Sequence, residues 1–166
     1  MVQSSPDEAG EGSPAPARNA ETEVWLALMA LHGEIFGRLN RAINREFGIT
    51  LAKFDVLAQL YRVPDGLTQT ALSRQLKVTG GNVTGMVQRL ISDSLISREV
   101  AQNDRRAFIV RLTSLGRETY LNARIRHDEL LASFIGQLGS ERLATLTETL
   151  RQTGHVLARS DSGRAA

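Results

Sequence analysis

The sequence predicts a mainly α-helical fold with one small β-wing, and three features indicate it. Apolar residues recur at spacings of three and four from Val24 to Leu157, the pattern of helices with one buried face. Residues 68–95 predict two short helices joined by a turn. Residues 95–100 and 107–112 predict two strands around a polar tip at residues 102–106. Together these elements form a winged helix-turn-helix, a unit whose second helix fits the major groove of DNA.

Residues that favour helix ends and turns delimit the elements. A long first helix is predicted up to Phe47, and Gly48 ends it because glycine readily adopts the left-handed conformation found after helices. Pro64-Asp65-Gly66 predicts the turn after the second helix, and Gly139-Ser140 separates the long fifth helix from the sixth. Threonine hydroxyls can cap the second, third, fourth and fifth helices, at Thr50, Thr68, Thr79 and Thr113 respectively.

Composition and length predict one domain with a terminal tail on each side. Residues 1–20 are rich in Pro, Gly, Ser, Ala and Glu and predict a disordered tail, and residues 161–166 predict a flexible one. The domain spans residues 21–160, with a DNA-binding part at about 50–112 and dimerisation helices at about 21–47 and 113–159. With no apolar run near the roughly 20 residues that span a bilayer and no signal-peptide pattern, we expect a cytoplasmic protein.

Positive charge is concentrated on the segment that predicts DNA binding. The whole chain has a net charge of only +2, but residues 68–111 carry seven Lys or Arg against three Asp or Glu. A basic surface of this kind attracts the phosphate backbone of nucleic acids. An ordinary solvated basic surface remains the alternative, because charge alone does not distinguish the two.

The residue patterns of enzymes and metal sites do not occur in the sequence. His32, His127 and His155 fall on three different predicted helices, and there is no cysteine to act as a nucleophile, a metal ligand or a redox switch. No nucleophile-elbow or phosphate-binding motif is present. We therefore expect no catalytic residues, no metal and no cofactor.

The first, fifth and sixth predicted helices carry more apolar surface than a small winged-helix core needs. The sixth has a spacing close to a coiled-coil seam, at Leu143, Leu146, Leu150 and Leu157. A homodimer would bury these faces and place two DNA-binding helices about one turn of DNA apart, roughly 34–36 Å. The alternative is that the helices pack only within one chain.

The wing and the residues after it resemble the MarR family of bacterial transcription regulators. The specific part is Asp104-Arg105-Arg106, then a strand, then Leu112-Thr113-x-x-Gly116-Arg117, and the resemblance extends over residues 24–158. It implies a homodimer with winged helix-turn-helix lobes. Such proteins usually repress genes by binding double-stranded DNA at pseudo-palindromes and are released when a small ligand binds.

The resemblance also implies which residues contact DNA. The recognition helix covers residues 79–93, where Asn82 and Gln88 could pair with adenine and the hydroxyls could contact phosphates. In the wing, it implies that Arg106 enters the minor groove, Asp104 orients it, and Arg105 meets a phosphate. The expected contacts on the helix are Thr79, Gly81, Asn82, Thr84, Gln88 and Arg89. Many family members have a basic residue at the position of Gly85, so this chain departs from the family there. The alternative to DNA contact is that the polar residues of this helix form an ordinary solvated face.

A small-molecule effector is implied in the same way. Family pockets lie between the dimerisation helices and the DNA-binding lobe and often hold aromatic acids, phenols or their coenzyme A thioesters. Aromatic and arginine side chains in the corresponding segments could hold an aromatic anion. They are Trp25, His32, Phe36, Arg38, Arg41, Phe54, Tyr61, Tyr120 and Arg124, although Phe36 and Phe54 could be plain core and His32 an interface residue. A protein-interaction scaffold without sequence-specific DNA binding is the alternative function.

Overall fold

The structure is a computed structural model that describes residues 19–77, 79–101 and 104–162, without the side chains of 101, 104–107 and 160–162. The backbone divides into two units, one ending at Gly33 and the other beginning at Glu34, and the core described below belongs to the second. No helix in the described part of the chain is both long and apolar enough to cross a membrane.

Six α-helices and three short strands make up the described chain. The helices are α1 Ala20–Phe47, α2 Leu51–Arg62, α3 Gln69–Leu76, α4 Gly80–Ser92, α5 Ser114–Ile135 and α6 Ser140–Ser162. The strands are β1 Leu67–Thr68, β2 Ile96–Ala101 and β3 Asp104–Leu112, and a 3₁₀ turn at Gly136–Leu138 precedes α6. The fold is the mainly helical winged helix-turn-helix that the sequence predicts.

Helix ends follow the predicted chemistry at most positions. Gly48 takes a φ of +68° directly after α1. Thr50 accepts a hydrogen bond from the Lys53 amide at 3.3 Å, and Thr68 accepts one from Ala71 at 3.1 Å. Thr79 stands at the N-cap of α4, but its side chain makes no capping hydrogen bond, so the predicted cap is wrong there.

The wing is a three-stranded antiparallel sheet in the order β1-β3-β2. The sequence predicted the β2–β3 hairpin but not β1, whose Leu67 pairs with Val110. Gly66 makes this pairing possible, because it has a φ of +83° and a Cβ there would lie 2.5 Å from the Val110 carbonyl oxygen. β3 begins at Asp104, which pairs with Ala101, so residues 104–106 belong to the strand and not to the predicted tip.

The buried core joins α2, α3, α4, β3 and the second part of α1. Its fully buried side chains are aliphatic: Ile43, Val56, Leu57, Leu60, Leu72, Val83, Val87, Leu90 and Val110. Tyr120 and Ala123 pack against them from α5. By contrast, every residue from 140 to 159 in α6 is exposed except Leu143, which is half-buried.

The start of α5 is fixed against the turn that follows α4. The Thr113 hydroxyl donates to the Ser94 carbonyl at 2.8 Å and accepts from the Gly116 amide at 2.9 Å, and the Thr113 amide donates to the Leu95 carbonyl at 3.1 Å. Gly116 lies so close to Leu95 that a Cβ would overlap its carbonyl group. The Thr113-x-x-Gly116 spacing therefore places both residues where they contact the turn at Ser94 and Leu95.

We predict that Gly116→Ala lowers the free energy of unfolding by about 3 kcal/mol or more, because the methyl group would collide with rigid backbone. Gly33→Ala is the matched control, since that helical glycine has nothing within 4 Å of its Cβ position. It should raise stability by about 0.5–1 kcal/mol through helix propensity. Urea unfolding monitored by circular dichroism measures both, and equal effects would contradict the prediction.

Candidate nucleic-acid interface and adjoining cleft

α4 has a buried face and an exposed polar face. Val83, Val87 and Leu90 are fully buried and attach the helix to the core. The opposite side exposes the residues predicted to contact DNA, which are Thr79, Gly81, Asn82, Thr84, Gln88 and Arg89. Because Gly80 and Gly81 have open space where a Cβ would be, the backbone at the start of α4 is accessible to a large partner.

Two of the exposed side chains are folded back on α4 itself. The Thr84 hydroxyl donates to the Gly80 carbonyl at 3.0 Å, and the Arg89 Nε donates to the Gly85 carbonyl at 3.2 Å. A Cβ at Gly85 would lie 3.4 Å from an Arg89 guanidinium nitrogen. The glycine thus gives the guanidinium room to lie along the helix surface, and Arg89 supplies a cation beside Gly85.

A concave surface of about 520 Å³ lies between α3 and α4. α3 contributes most of its lining, which is Gln69, Thr70, Ser73, Arg74 and Lys77, together with Gly80 and Thr84 of α4. Lys77 has a φ of +54° at the end of α3, where the chain turns towards α4. The DNA contacts named from the sequence did not include α3, although Arg74 and the polar residues of this helix are visible in the sequence.

The stem of the wing is held by arginine contacts. The Arg98 guanidinium lies 3.5 Å from the centre of the Phe108 ring, and Arg111 pairs with Glu99. Arg111 also donates to the Asp65 carbonyl at 2.9 Å, which joins the wing to the turn before β1. The backbone places Asp104, Arg105 and Arg106 in β3, while their side chains lie outside the described part of the structure.

A second cavity, of about 530 Å³, opens between α2 and α5. We call it the cleft, and its lining is Phe54, Asp55, Ala58, Gln59, Tyr61 and Arg62 from α2, with Tyr120, Arg124, His127 and Asp128 from α5. The Phe54 ring lies 5.4 Å from Tyr120 and stacks on His127 at 5.0 Å, centre to centre. Tyr61 lies 4.9 Å from Tyr120, so four rings form a continuous aromatic wall.

Charged groups surround this wall. His127 Nδ1 lies 3.0 Å from Asp128, and the Arg124 Nε lies 3.7 Å from the other oxygen of the same carboxylate. Desolvation raises the pKa of Asp55 above its ordinary value, and the nearby His127 partly offsets this. Because Asp55 is exposed to solvent, we expect the effect of its raised pKa on stability to be modest.

Four of the nine effector residues named from the sequence line the cleft: Phe54, Tyr61, Tyr120 and Arg124. Phe36, Arg38 and Arg41 are not among the lining residues. Arg38 instead bonds to Glu34 at 2.5 Å and lies 5.4 Å from the Phe134 ring centre. Trp25 and His32 belong to the first unit of the backbone, where Trp25 is 59% exposed. The cleft adds Asp55 and His127, and the three-and-four spacing of Tyr120, Arg124 and His127 was the signal that could have found His127.

Within the described residues, no group of His, Cys, Asp or Glu side chains is arranged to hold a metal ion.

Comparison with known proteins identifies the family. A sequence profile described as MarR family matches residues 47–107. A MarR family transcriptional regulator from Silicibacter pomeroyi is 38% identical, with a TM-score of 0.72, over 82% of this chain and 94% of that one. The chain belongs to the MarR family. It is a DNA-binding transcriptional regulator of the winged helix-turn-helix type and not an enzyme, which leaves the scaffold alternative without support.

Two further solved structures show what related proteins bind. Staphylococcus aureus MepR, solved as a complex with DNA, is 27% identical over 78% of this chain and 94% of its own, with a TM-score of 0.70. CouR from Rhodococcus jostii, solved with p-coumaroyl-CoA, is only 17% identical over 82% of this chain and 95% of its own, with a TM-score of 0.70. The second likeness concerns the fold alone.

One curated relative spans nearly the whole chain. The transcriptional activatory protein BadR of Rhodopseudomonas palustris is 29% identical over 168 residues, which cover 91% of this chain and 94% of BadR. The proteins similar to this chain therefore include one described as an activator.

We predict that Asp55→Asn stabilises the protein at pH 7 and not at low pH. A raised folded-state pKa means that the charged carboxylate costs more in the folded state than in the unfolded one. Replacing it removes this cost above the folded-state pKa, and the advantage vanishes below the ordinary value of 3.8, where both states are protonated. Thermal melts should show a gain of about 1–2 °C at pH 7 that shrinks on acidification. A gain independent of pH would contradict this cause.

Proposed function

We propose that this MarR protein is a homodimeric repressor that binds a pseudo-palindromic operator and is released when a small aromatic anion, phenol or coenzyme A thioester occupies the cleft. The cleft supports the proposal: four rings offer a stacking surface, while Arg62 and Arg124 offer charge-assisted hydrogen bonds to an anion. An activator is the second candidate, favoured by the likeness to BadR.

On DNA, we propose that α4 enters the major groove with its exposed polar face. Asn82 and Gln88 have the donor and acceptor pairs that recognise adenine, and Arg89 can reach guanine after leaving the Gly85 carbonyl. Thr79, Gly81 and Thr84 approach the phosphates, with Arg74 and Lys77 of α3 as further phosphate contacts. Arg106 is proposed for the minor groove, oriented by Asp104, and Arg105 for a phosphate.

We predict different losses for the two wing arginines. With a duplex selected from a random library, Arg106→Ala should weaken binding by about 1–3 kcal/mol and relax the preferred sequence, as loss of a base contact does. Arg105→Ala should instead lower the slope of log affinity against log salt by about one, as loss of a phosphate contact does. Fluorescence anisotropy at several salt concentrations measures both. Unchanged affinity in Arg106→Ala would refute its role.

A second copy of the chain is proposed to cover α6. In the described part of α6, Leu146 and Leu150 are 40% and 45% exposed, and only Leu143 is half-buried. An isolated helix is marginal in water, and long helices in proteins depend on packing of an apolar face. The first part of α1 separately exposes Val24, Trp25 and Leu31. Apolar faces of this extent are typical of interfaces between subunits.

We predict that the double variant Leu146→Glu, Leu150→Glu dissociates or unfolds the dimer, because charges would have to be buried between the subunits. Gln152→Glu, on the opposite side of α6, is the control and should remain dimeric. Sedimentation velocity at micromolar concentration measures the assembly. A folded wild-type monomer in that experiment would overturn the proposed dimer.

The effector is tested by titrating the DNA complex with salicylate, with phenol and with p-coumaroyl-CoA. Tenfold release requires the ligand to bind the DNA-incompetent state about tenfold better, roughly 1.4 kcal/mol. We predict that Arg124→Gln loses the response and that Arg38→Gln, outside the cleft lining, keeps it. Hydrogen peroxide is the control for an oxidation sensor. Release by peroxide alone would reject the cleft as the effector site.

Whether the protein represses or activates is tested separately, by in vitro transcription from the bound promoter.

A further inference from the structure

The turn that ends the recognition helix is held from both walls of the cleft. Asp93, Ser94 and Leu95 form this turn, between α4 and β2. From α2, the Lys53 ammonium lies 2.5 Å from the Asp93 carboxylate. From the start of α5, Thr113 donates to the carbonyls of Ser94 and Leu95. The two helices that line the cleft therefore hold consecutive residues of one turn.

The Lys53–Asp93 pair differs from the other ion pairs in the described residues. The Lys53 side chain is only 16% exposed, less than any other side chain in those pairs. Because most of the Lys53 side chain is packed against the protein, its ammonium has little freedom to leave Asp93 for another partner while α2 stays in place. The pair therefore favours the one arrangement of α2 and the turn in which the two groups meet.

Asp93 depends on this cation as well. It is the residue at the C-terminal end of α4, where the helix dipole is negative and a carboxylate is unfavourable. Its amide donates to the Arg89 carbonyl at 2.9 Å, so Asp93 closes the last turn of the helix. Arg89 lies in that last turn and Gln88 directly before it, and both are proposed base contacts. Displacement of Asp93 would therefore change how these side chains are presented to DNA.

The cleft and the ion pair share the same turn of α2. Lys53 is followed directly by Phe54 and Asp55, which line the cleft, and Ala58 lines it one turn later. Because α2 is a regular helix of 12 residues, an occupant that displaces Phe54 or Ala58 displaces Lys53 with them. Thr113 keeps the other side of the turn attached to α5, so separation of α2 from α5 pulls on the turn itself.

We propose that Lys53 is a positioning residue for DNA binding: through its ion pair with Asp93 it transmits occupancy of the cleft to the C-terminal end of the recognition helix. This inference rests on the proposed function, in which the cleft controls DNA binding.

The test replaces the unidentified ligand with a side chain. Ala58→Trp fills the cleft, and Gln59→Trp is a second filling variant in case the first does not fold, as judged by thermal melting. The filling substitution is introduced into the wild-type protein, into Lys53→Met and into Lys53→Arg. For each of these three backgrounds, affinity for the selected duplex and for a random duplex is measured with and without the filling substitution. We expect Ala58→Trp to weaken specific binding about tenfold in the wild-type and Lys53→Arg proteins, within the 5–150-fold range typical of coupled sites. In Lys53→Met the same filling should change it less than twofold.

The outcomes separate the two proposals. An equal effect of filling in the wild-type protein and in Lys53→Met would overturn the role of Lys53 and leave the cleft as the effector site. No effect of either filling variant in a folded protein would overturn the control of DNA binding by the cleft, and the role of Lys53 with it. Glu129→Gln, which removes an exposed ion pair on α5 outside the cleft lining, is the control and should behave as wild type.

Hydrogen exchange gives a measurement that needs no cleft variant. The amides of residues 89–95 should exchange faster in Lys53→Met and in Asp93→Asn than in the wild-type protein or Lys53→Arg, because the last turn of α4 loses its anchor. Faster exchange confined to this segment supports the inference. Unchanged exchange in Lys53→Met would overturn it.

Discussion

The close approach of the first turn of α5 to the Leu95 carbonyl fixes the DNA-binding half of the molecule. Gly116 has no side chain to oppose this approach, and Thr113 uses both its hydroxyl and its amide on the same turn. The turn joins α4 to β2, so its position sets the direction in which the recognition helix ends and the wing begins. Leu112 pairs with Ile96 directly before it, which ties the second wing strand to the same junction. One contact region thereby orients helix, wing and cleft together.

The elements of the fold could be predicted from local sequence, because helix caps and apolar spacing are local signals. Thr50, Thr68 and Thr113 form the capping hydrogen bonds expected of them. Thr79 does not, because the preference of a residue for the N-cap does not fix where its hydroxyl points. Strand β1, with two residues, carries no periodic signal and exists because Gly66 allows Leu67 to pair with Val110. Asp104 has low strand propensity, but its pairing with Ala101 extends β3 to include residues 104–106.

The site was harder to predict than the fold, because a cleft depends on how separate helices meet. The exposed face of α4 follows from its apolar positions, since the residues opposite Val83, Val87 and Leu90 must face outward. No comparable rule selects Phe54 and Tyr61 for the cleft while excluding Phe36. That choice is made by the packing of α2 on α5, in which Tyr120 contacts both Phe54 and Tyr61. The role of Lys53 is equally invisible in the sequence, because its partner lies 40 residues away.

The recognition helix is weak at one end and firmly held at the other. Gly80, Gly81 and Gly85 each cost up to about 1 kcal/mol of helix stability relative to alanine, and a missing cap costs about as much again. Burial of Val83, Val87 and Leu90 offsets this, at roughly 1.5–3 kcal/mol per side chain. The anchors of α4 are thus its inner face and the Asp93–Leu95 turn, while its first turn leaves backbone donors towards the exterior. Such an N-terminus is suited to an anionic backbone, because phosphate oxygens satisfy donors that no side chain caps. In the proposed mechanism, DNA phosphates contact the weakly held N-terminal end of α4, and occupancy of the cleft acts on its firmly held C-terminal end.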